Sequence, residues 1–225
     1  LIVADGIFSS AKSFFERKKN KPKYKKALAV RVIMKSKSDL KINEQNISLM
    51  LGSNTHIVLY PINKKKELNM VCIIRSKKYD PNNIKSLIEK TVLKQNPNLK
   101  IIFNNEITFW PLYFTPKILP SSNEKVFYIG DAFNGFLPTL AQGAGQSIES
   151  AYEIFQLLKK DKLGGNNSYF EERSRRAKIV RRRSNFNFFV FHFSSSIMQK
   201  IRNTFLKFLV KRKAFIDAYL NPVYK

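Results

Sequence analysis

"YIGDAFNGFLPTLAQGAGQSIESAYEIFQLLKK", residues 128–160, decides how this chain is read. It overlaps an apolar run, "KVFYI" (125–129), of the kind that forms a strand buried on both faces of a parallel sheet. That run delivers Gly130 and Asp131 to its carboxyl end, where α/β sheets bind ligands. Gly130 lets the backbone approach closely, and a carboxylate at Asp131 can accept hydrogen bonds from sugar hydroxyls. Further on, "PTLAQGAGQS" leads Gly143, Ala144 and Gly145 into a helix start, whose free N–H groups and partial positive charge suit an anion. The same residues also make sense as a local turn, with Asp131 as a cap and the glycines as turn formers. Spacing alone leaves both readings open. The helix sets Ala144, Ile148, Ala151, Phe155 and Leu158 on one stripe, the spacing of a buried face.

Working outward, residues 1–4 read as another buried strand, ended by Asp5-Gly6, and "SSAKSFFERK" opens a short helix. From Lys21 the chain is basic and polar, as a linker would be. "ALAVRVIMK" (27–35) reads as a strand. "THIVLYPI" (55–62) and "LNMVCIIR" (68–75), joined by "NKKKE", form an antiparallel hairpin. Asp80 and Pro81 start a helix with Ile84, Leu87, Ile88 and Thr91 on one face. "IIFNNEITFWPLYF" (101–114) returns as strand, broken by Pro111 and Pro116, and residues 169–225 are helical, basic and aromatic.

The net charge is +25, from 41 basic and 16 acidic residues. Most of the excess is lysine in loops, which a solvated surface explains, and no nucleic-acid-binding motif accompanies it; no specific nucleic-acid partner is expected. The single cysteine, Cys72, excludes an intramolecular disulfide and suits a reducing compartment. No run has the length of a membrane span, and there is no secretory signal. A cytoplasmic protein is expected. Its one candidate for contact with a membrane periphery, such as the inner membrane, is "SIMQKIRNTFLKFLVKRKAF" (196–215), a basic amphipathic helix. A helix packed on its own domain is the alternative.

"GDAFNGFLPTLAQGAGQSIESA" resembles the second FAD-binding motif of the class A flavoprotein aromatic hydroxylases, GDAAHxxxPxxAQGxxxxxEDA. "VADGIFSSAK" (3–12) looks like that family's ADGxxSxxR motif. "THIVLYPINKKKELNMV" (55–71) is similar to the HxVxYPxxxGxLxNxV hairpin of the salicylate and hydroxybenzoate hydroxylase branch, and "FWPLYFTP" and "YFEERSRRAKIVRRRSNFN" continue the pattern. Several positions depart from it. Asn134 stands where His is usual, Ser150 where Asp follows Glu149, Lys12 where Arg is usual, and "NKKKE" replaces a Gly-Gly turn. The family's GxGxxG fingerprint is not in this sequence. The chain therefore reads as the C-terminal part of such a hydroxylase.

The resemblance implies an α/β fold of mixed α+β kind. Residues 1–20 and 121–165 would be a truncated Rossmann-like FAD-binding domain. Residues 21–120 would be an inserted, mostly antiparallel substrate-binding sheet, and 166–225 a C-terminal helical segment. It implies a monooxygenase that uses FAD, NADH or NADPH, and O2 to hydroxylate a small aromatic, phenolic or quinone-like substrate. Asp131 would bind the ribityl chain, with Gly130 beside it. Pro138 and Leu140 would lie along the isoalloxazine ring, and the N–H groups of Gly143, Ala144 and Gly145 would face its N1/O2 edge. Asp5 would sit near the pyrophosphate. His56 and Tyr60 share a strand face with Val58, so His56 is the candidate phenol base, with Tyr60 beside it. Pro138 also counts among the candidate catalytic residues, and no metal site is expected. Arg31 reads as a surface strand residue, Cys72 as core, His192 as structural, and Trp110 as packed between sheet and loop. Two other readings remain: a protein that binds membrane surfaces through its basic amphipathic helix, and an inactive fragment.

Overall fold

The computed structural model describes residues 1–16, 20–35, 46–65, 67–160 and 166–224. In chain order its elements are β1 (Ile2–Val3), α1 (Ser10–Phe15), β2 (Lys23–Lys35), β3 (Ser48–Leu51), β4 (Thr55–Ile62), β5 (Glu67–Arg75), α2 (Ile84–Ile88), α3 (Lys100–Phe103), β6 (Ile107–Phe114), β7 (Phe127–Tyr128), α4 (Gly130–Asn134), α5 (Gly143–Lys159), α6 (Asn166–Phe191), α7 (Ser196–Leu209) and α8 (Lys213–Tyr224). The fold is mixed α/β. Two compact units share it: residues 1–25, 113–188 and 212–225 form the first, and 26–112 and 189–211 the second.

In the first unit β1 pairs with β7 in parallel, Ile2 opposite Phe127 and Val3 opposite Tyr128. Val3, Val126, Tyr128, Ala132, Phe133 and Ala177 make its core. The apolar stripe expected to bury α5 does the opposite: Ala144, Ile148, Ala151, Phe155 and Leu158 are exposed, and Gln146, Ser150 and Ile154 point inward. The periodicity was correct for a helix, but periodicity does not say which face meets the body. The inward face is polar because α6 offers it a polar partner. Arg173, 1% exposed, donates to Gln146 O, Gln146 Oε1, Glu149 and Glu153. Ser150, in place of the usual Asp, closes its own hydroxyl onto Gln146 O.

In the second unit a five-stranded sheet runs β3-β4-β5-β2-β6. The hairpin forms as expected, β4 antiparallel to β5 with Ile57 opposite Cys72 and Leu59 opposite Met70. β2 continues these rows with Val30 and Val32. All six side chains are buried, as are Ile84, Ile88, Val92, Leu99 and Ile102 of the helical stretch that follows β5. Burial of each such side chain is worth about 1.5–3 kcal/mol. Cys72 is core, and burial pushes its thiol up to about 12. At the hairpin turn Asn63 and Lys64 take left-handed backbone, φ 49° and 55°. Glycine adopts that geometry without strain and asparagine tolerates it. Lys66 of this turn, like residues 17–19 of the N-terminal basic run, lies outside the described residues.

Three local expectations change. Strand β2 begins at Lys23, so the basic stretch after Lys21 is mostly strand rather than linker. The 101–114 strand is a helix up to Phe103 and a strand only from Ile107, because Pro97 starts a turn that runs on into α3. Pro111 lies inside β6 without breaking it, since β6 is the sheet's edge strand, where a missing N–H is tolerated. Trp110, on the same strand, is 41% exposed rather than packed between sheet and loop.

Candidate functional site

The parallel pairing of β1 with β7 puts Asp5, two residues past Val3, and Asp131, three past Tyr128, at the same end of their strands. Between strand and helix, Gly130 has φ +56°, and a Cβ there would stand 2.8 Å from Ser147 Oγ on the first turns of α5. Only glycine meets both demands, so the Gly-Asp step is fixed by how closely the strand end and α5 approach.

The two carboxylates have different surroundings. Asp5 Oδ2 accepts from Ala11 N at 3.1 Å and so caps α1. Burial alone would raise its pKa, but hydrogen bonds from Ser9 and the α1 backbone hold it below the usual carboxylate range. Asp131 is exposed and has no protein hydrogen bond among the described residues, while partial desolvation pushes its pKa up. A carboxylate without a protein partner at the carboxyl end of a parallel strand is available to a ligand.

The start of α5 is also open. Gln142 precedes it without a side-chain cap, and its first turn carries no acidic residue. A Cβ at Gly143 would meet nothing within 4 Å, so no packing within the protein calls for glycine there. Just before it, Ala141 holds a left-handed φ of 52° at the end of the turn Pro138–Leu140. Such a conformation costs a non-glycine residue energy and persists where its surroundings impose it. Here α6 does so: Thr139 Oγ1 donates to Ser184 O at 2.7 Å, and Asn187 Nδ2 donates to Thr139 O at 3.1 Å. Pro138 stands exposed on this turn and Leu140 half-buried.

These features form a donor and acceptor set that fits FAD: an unpartnered carboxylate for hydroxyls, an uncapped helix start for negative charge, and room where a Cβ is missing. Lys12, in place of the family's Arg, still ties α1 to the end of α4, its Nζ 2.8 Å from Ala132 O and 3.3 Å from Phe133 O. Asn134, in place of His, is wholly buried and accepts from Arg181, while its Nδ2 has no partner among the described residues. A cleft of about 690 Å³ lies elsewhere in this unit, beside α1, where Phe8, Lys12, Glu16, Lys21 and Leu119 line it. Neither Asp131 nor the start of α5 borders it.

The second unit holds the other candidates. His56, Val58 and Tyr60 share a face of β4, as expected, but His56 is not available to a substrate. It is 2% exposed, and its Nδ1 lies 3.1 Å from Nε2 of His192, itself 1% exposed. Burial first, and the charge of His192 second, push its pKa down to about 3. A base that weak does not hold a phenol proton near neutral pH, so the fold makes His56 a core histidine. Tyr60 is half-buried and lies opposite Asn69. Asn69 Oδ1 accepts from Arg31 Nε at 2.6 Å, and its Nδ2 has no partner among the described residues although the residue is fully buried. Sequence reasoning passed over Asn69, Arg173 and Asn187. The available signal was polar residues at inward positions of otherwise apolar patterns. Among the described residues no group of three or more His, Cys, Asp or Glu could hold a metal ion.

Two parallel strands thus end in acidic residues beside an open helix start. The chain belongs to the squalene epoxidase family, whose profile matches residues 1–221. It is similar to the 3-amino-4-hydroxybenzoate 2-monooxygenases PtnB3 and PtmB3 of Streptomyces platensis, 28% and 26% identical over 163 residues. The alignments cover 68% of this chain and 41% of each relative. Among solved structures it resembles HpxO of Klebsiella pneumoniae complexed with FAD and uric acid, with a TM-score of 0.82 at 13% identity, covering all of this chain and 59% of that one. A salicylate hydroxylase substrate complex superposes with a TM-score of 0.74 at 20% identity, over 98% of this chain and 60% of that one. The chain thus spans well under two thirds of the length of the relatives it matches.

Proposed function

We propose that this chain is the part of an FAD-dependent monooxygenase that holds the ribityl chain and ring of the flavin and carries the substrate sheet. The observation that supports this best is the shared end of β1 and β7, where the unpartnered Asp131 carboxylate lies beside the uncapped start of α5. In this reading the first unit is the FAD-binding portion and the second the substrate-binding portion. FAD bound there would supply reduction by NADH or NADPH and the activation of O2 for hydroxylating a small aromatic, phenolic or quinone-like substrate.

The chain's own residues would do the rest. Asp131 accepts from ribityl hydroxyls. The N–H groups of Gly143, Ala144 and Gly145 stabilise negative charge at the ring's N1/O2 edge. Pro138 and Leu140, held by α6 through Thr139, pack along the ring, and Asp5 keeps α1 in place near the pyrophosphate. On the substrate side Tyr60 and the Arg31–Asn69 pair supply polar groups on one sheet face. The exposed apolar stripe of α5 suits an element of a larger dinucleotide-binding fold that would cover it. Titration of the purified chain with FAD and with riboflavin tests the reading. It predicts weak binding of both, with similar affinity, because the residues assigned contact the part the two ligands share. Neither ligand binding, or FAD alone binding tightly, would overturn it.

Among the described residues no helix is long and apolar enough to cross a membrane. A peripheral membrane contact is the finer part of the reading, favoured by the outward face of α7.

A further inference from the structure

The turn that carries Pro138, Leu140 and the left-handed Ala141 is reached from α8, the last helix. Thr139 O accepts from Asn187 Nδ2 of α6 at 3.1 Å, and Asn187 Oδ1 in turn accepts from the Tyr219 hydroxyl of α8. Asn187 is 8% exposed and Tyr219 half-buried. Burial pushes the Tyr219 pKa up, so its hydroxyl keeps the proton that it donates. Helix α8 is tied to α6 on both sides of this bond. Arg183 donates to Ala218 O at 3.3 Å and sets its guanidinium over the Tyr219 ring, 5.0 Å from the centroid. Arg176, which also holds Glu149 of α5, donates to Pro222 O and Val223 O at the end of α8, where carbonyls have no partner within the helix. Phe215 stacks on Tyr219 from one turn earlier, with the ring centroids 5.9 Å apart.

We propose that Tyr219 is a positioning residue for the flavin ring: its hydroxyl fixes the Asn187 amide, and the amide fixes the turn from Pro138 to Ala141. The inference rests on the flavin reading of that turn and adds α8 to the site. A primary amide offers a donor at one end and an acceptor at the other. Thr139 O accepts only from the NH₂ end, so the amide holds the turn while its Oδ1 has a donor of its own. Without the Tyr219 proton Oδ1 is left unpaired in a buried place, a cost that the amide relieves by turning away from Thr139 O. Ala141, two residues on, keeps its φ of 52° only as long as the surroundings impose it. A looser turn changes how Pro138 and Leu140 meet the ring but removes no group that hydrogen-bonds FAD. The ring's surroundings therefore respond more than FAD affinity does. A Tyr219 that only held α8 in place would leave the turn as it is.

The test is Tyr219→Phe in the purified chain, which keeps the ring against Phe215 and Arg183 and removes only the hydroxyl. Hydrogen exchange of the Ala141 amide, which donates to Pro138 O at 3.3 Å, should speed up about three- to tenfold, the effect of losing one buried hydrogen bond. At saturating FAD the visible circular dichroism of the bound flavin should change, while the FAD dissociation constant moves by less than about threefold. Asn187→Ala should speed the same exchange by about tenfold or more. Adding Tyr219→Phe to it should change nothing further, because both act through one path. Unchanged flavin dichroism in Tyr219→Phe, whatever the exchange rate, would overturn the inference and leave the flavin reading standing. Unchanged exchange at Ala141, or full additivity of the two substitutions, would overturn the route through Asn187 and the turn. FAD bound by neither the natural chain nor the variant would overturn the flavin reading, and the positioning role with it.

Discussion

His56 Nδ1 lies 3.1 Å from His192 Nε2, and the two buried rings meet at 68° with their centroids 4.8 Å apart. One ring nitrogen must donate and the other accept, so the contact needs neutral imidazoles or a single shared proton. The pair therefore makes the second unit sensitive to acid.

The sign follows from the direction of the shift. The folded chain keeps His56 neutral down to about 3, and the ordinary value is 6.5. Between these values the unfolded chain binds the proton that the folded chain refuses. Stability is thus full above pH 6.5 and falls as the pH drops toward 3, by about 1.4 kcal/mol per pH unit at most. Denaturant midpoints measured at neutral pH and at about pH 4.5 should fall further for the natural chain than for His56→Gln. Identical pH dependence in the two proteins would refute a neutral buried His56.

At Gly130 a methyl group would meet Ser147 Oγ at 2.8 Å, and the backbone is left-handed. Gly130→Ala should therefore destabilise the first unit by about 1–3 kcal/mol. Combining it with Ser147→Ala removes the atom that the methyl group would strike and should recover part of the loss, whereas the left-handed strain stays. Urea unfolding of the single and double variants measures both contributions.

Arg173 joins α6 to α5 through Glu149 and Glu153, whose side chains are 36% and 32% exposed while its own is 2%. Loss of one partner of a fully buried ion pair costs about 3–5 kcal/mol, but here the carboxylates left behind can reach water. Arg173→Ala should thus cost about 2–3 kcal/mol, and Arg173→Met, which restores volume without charge, less. An equal loss in both would mean that the ion pairs, rather than packing, carry the whole contribution.

Local pattern in the sequence reached some of this architecture and missed the rest for physical reasons. The β4–β5 hairpin was legible because two β-branched and apolar runs flank a polar turn. So was the strand–Gly-Asp–helix path, because glycine and aspartate have few reasons to stand together at the end of an apolar strand. The outward face of α5 was not legible. A stripe such as Ile148–Phe155 has the same spacing whichever way it faces, and the polar face turned inward is satisfied by Arg173, 24 residues beyond Glu149. The same limit applies to His56. Its partner stands 136 residues away, and no local signal announces that α6 ends over that strand. Ala141 in a left-handed turn breaks local preference because α6, far along the chain, holds the turn through Thr139.

If Asp131 holds the flavin, FAD affinity measures it most directly. The natural gene product that contains these residues should purify with FAD, and Asp131→Ala should weaken its binding about ten- to a hundredfold, the loss of a carboxylate hydrogen bond worth about 1.5–3 kcal/mol. Asp131→Asn should keep part of the affinity by retaining an acceptor. Equilibrium dialysis followed by flavin absorbance reads all three proteins on one scale. A product that binds no FAD, or an Asp131→Ala variant that holds it as tightly as the natural protein does, would contradict the account.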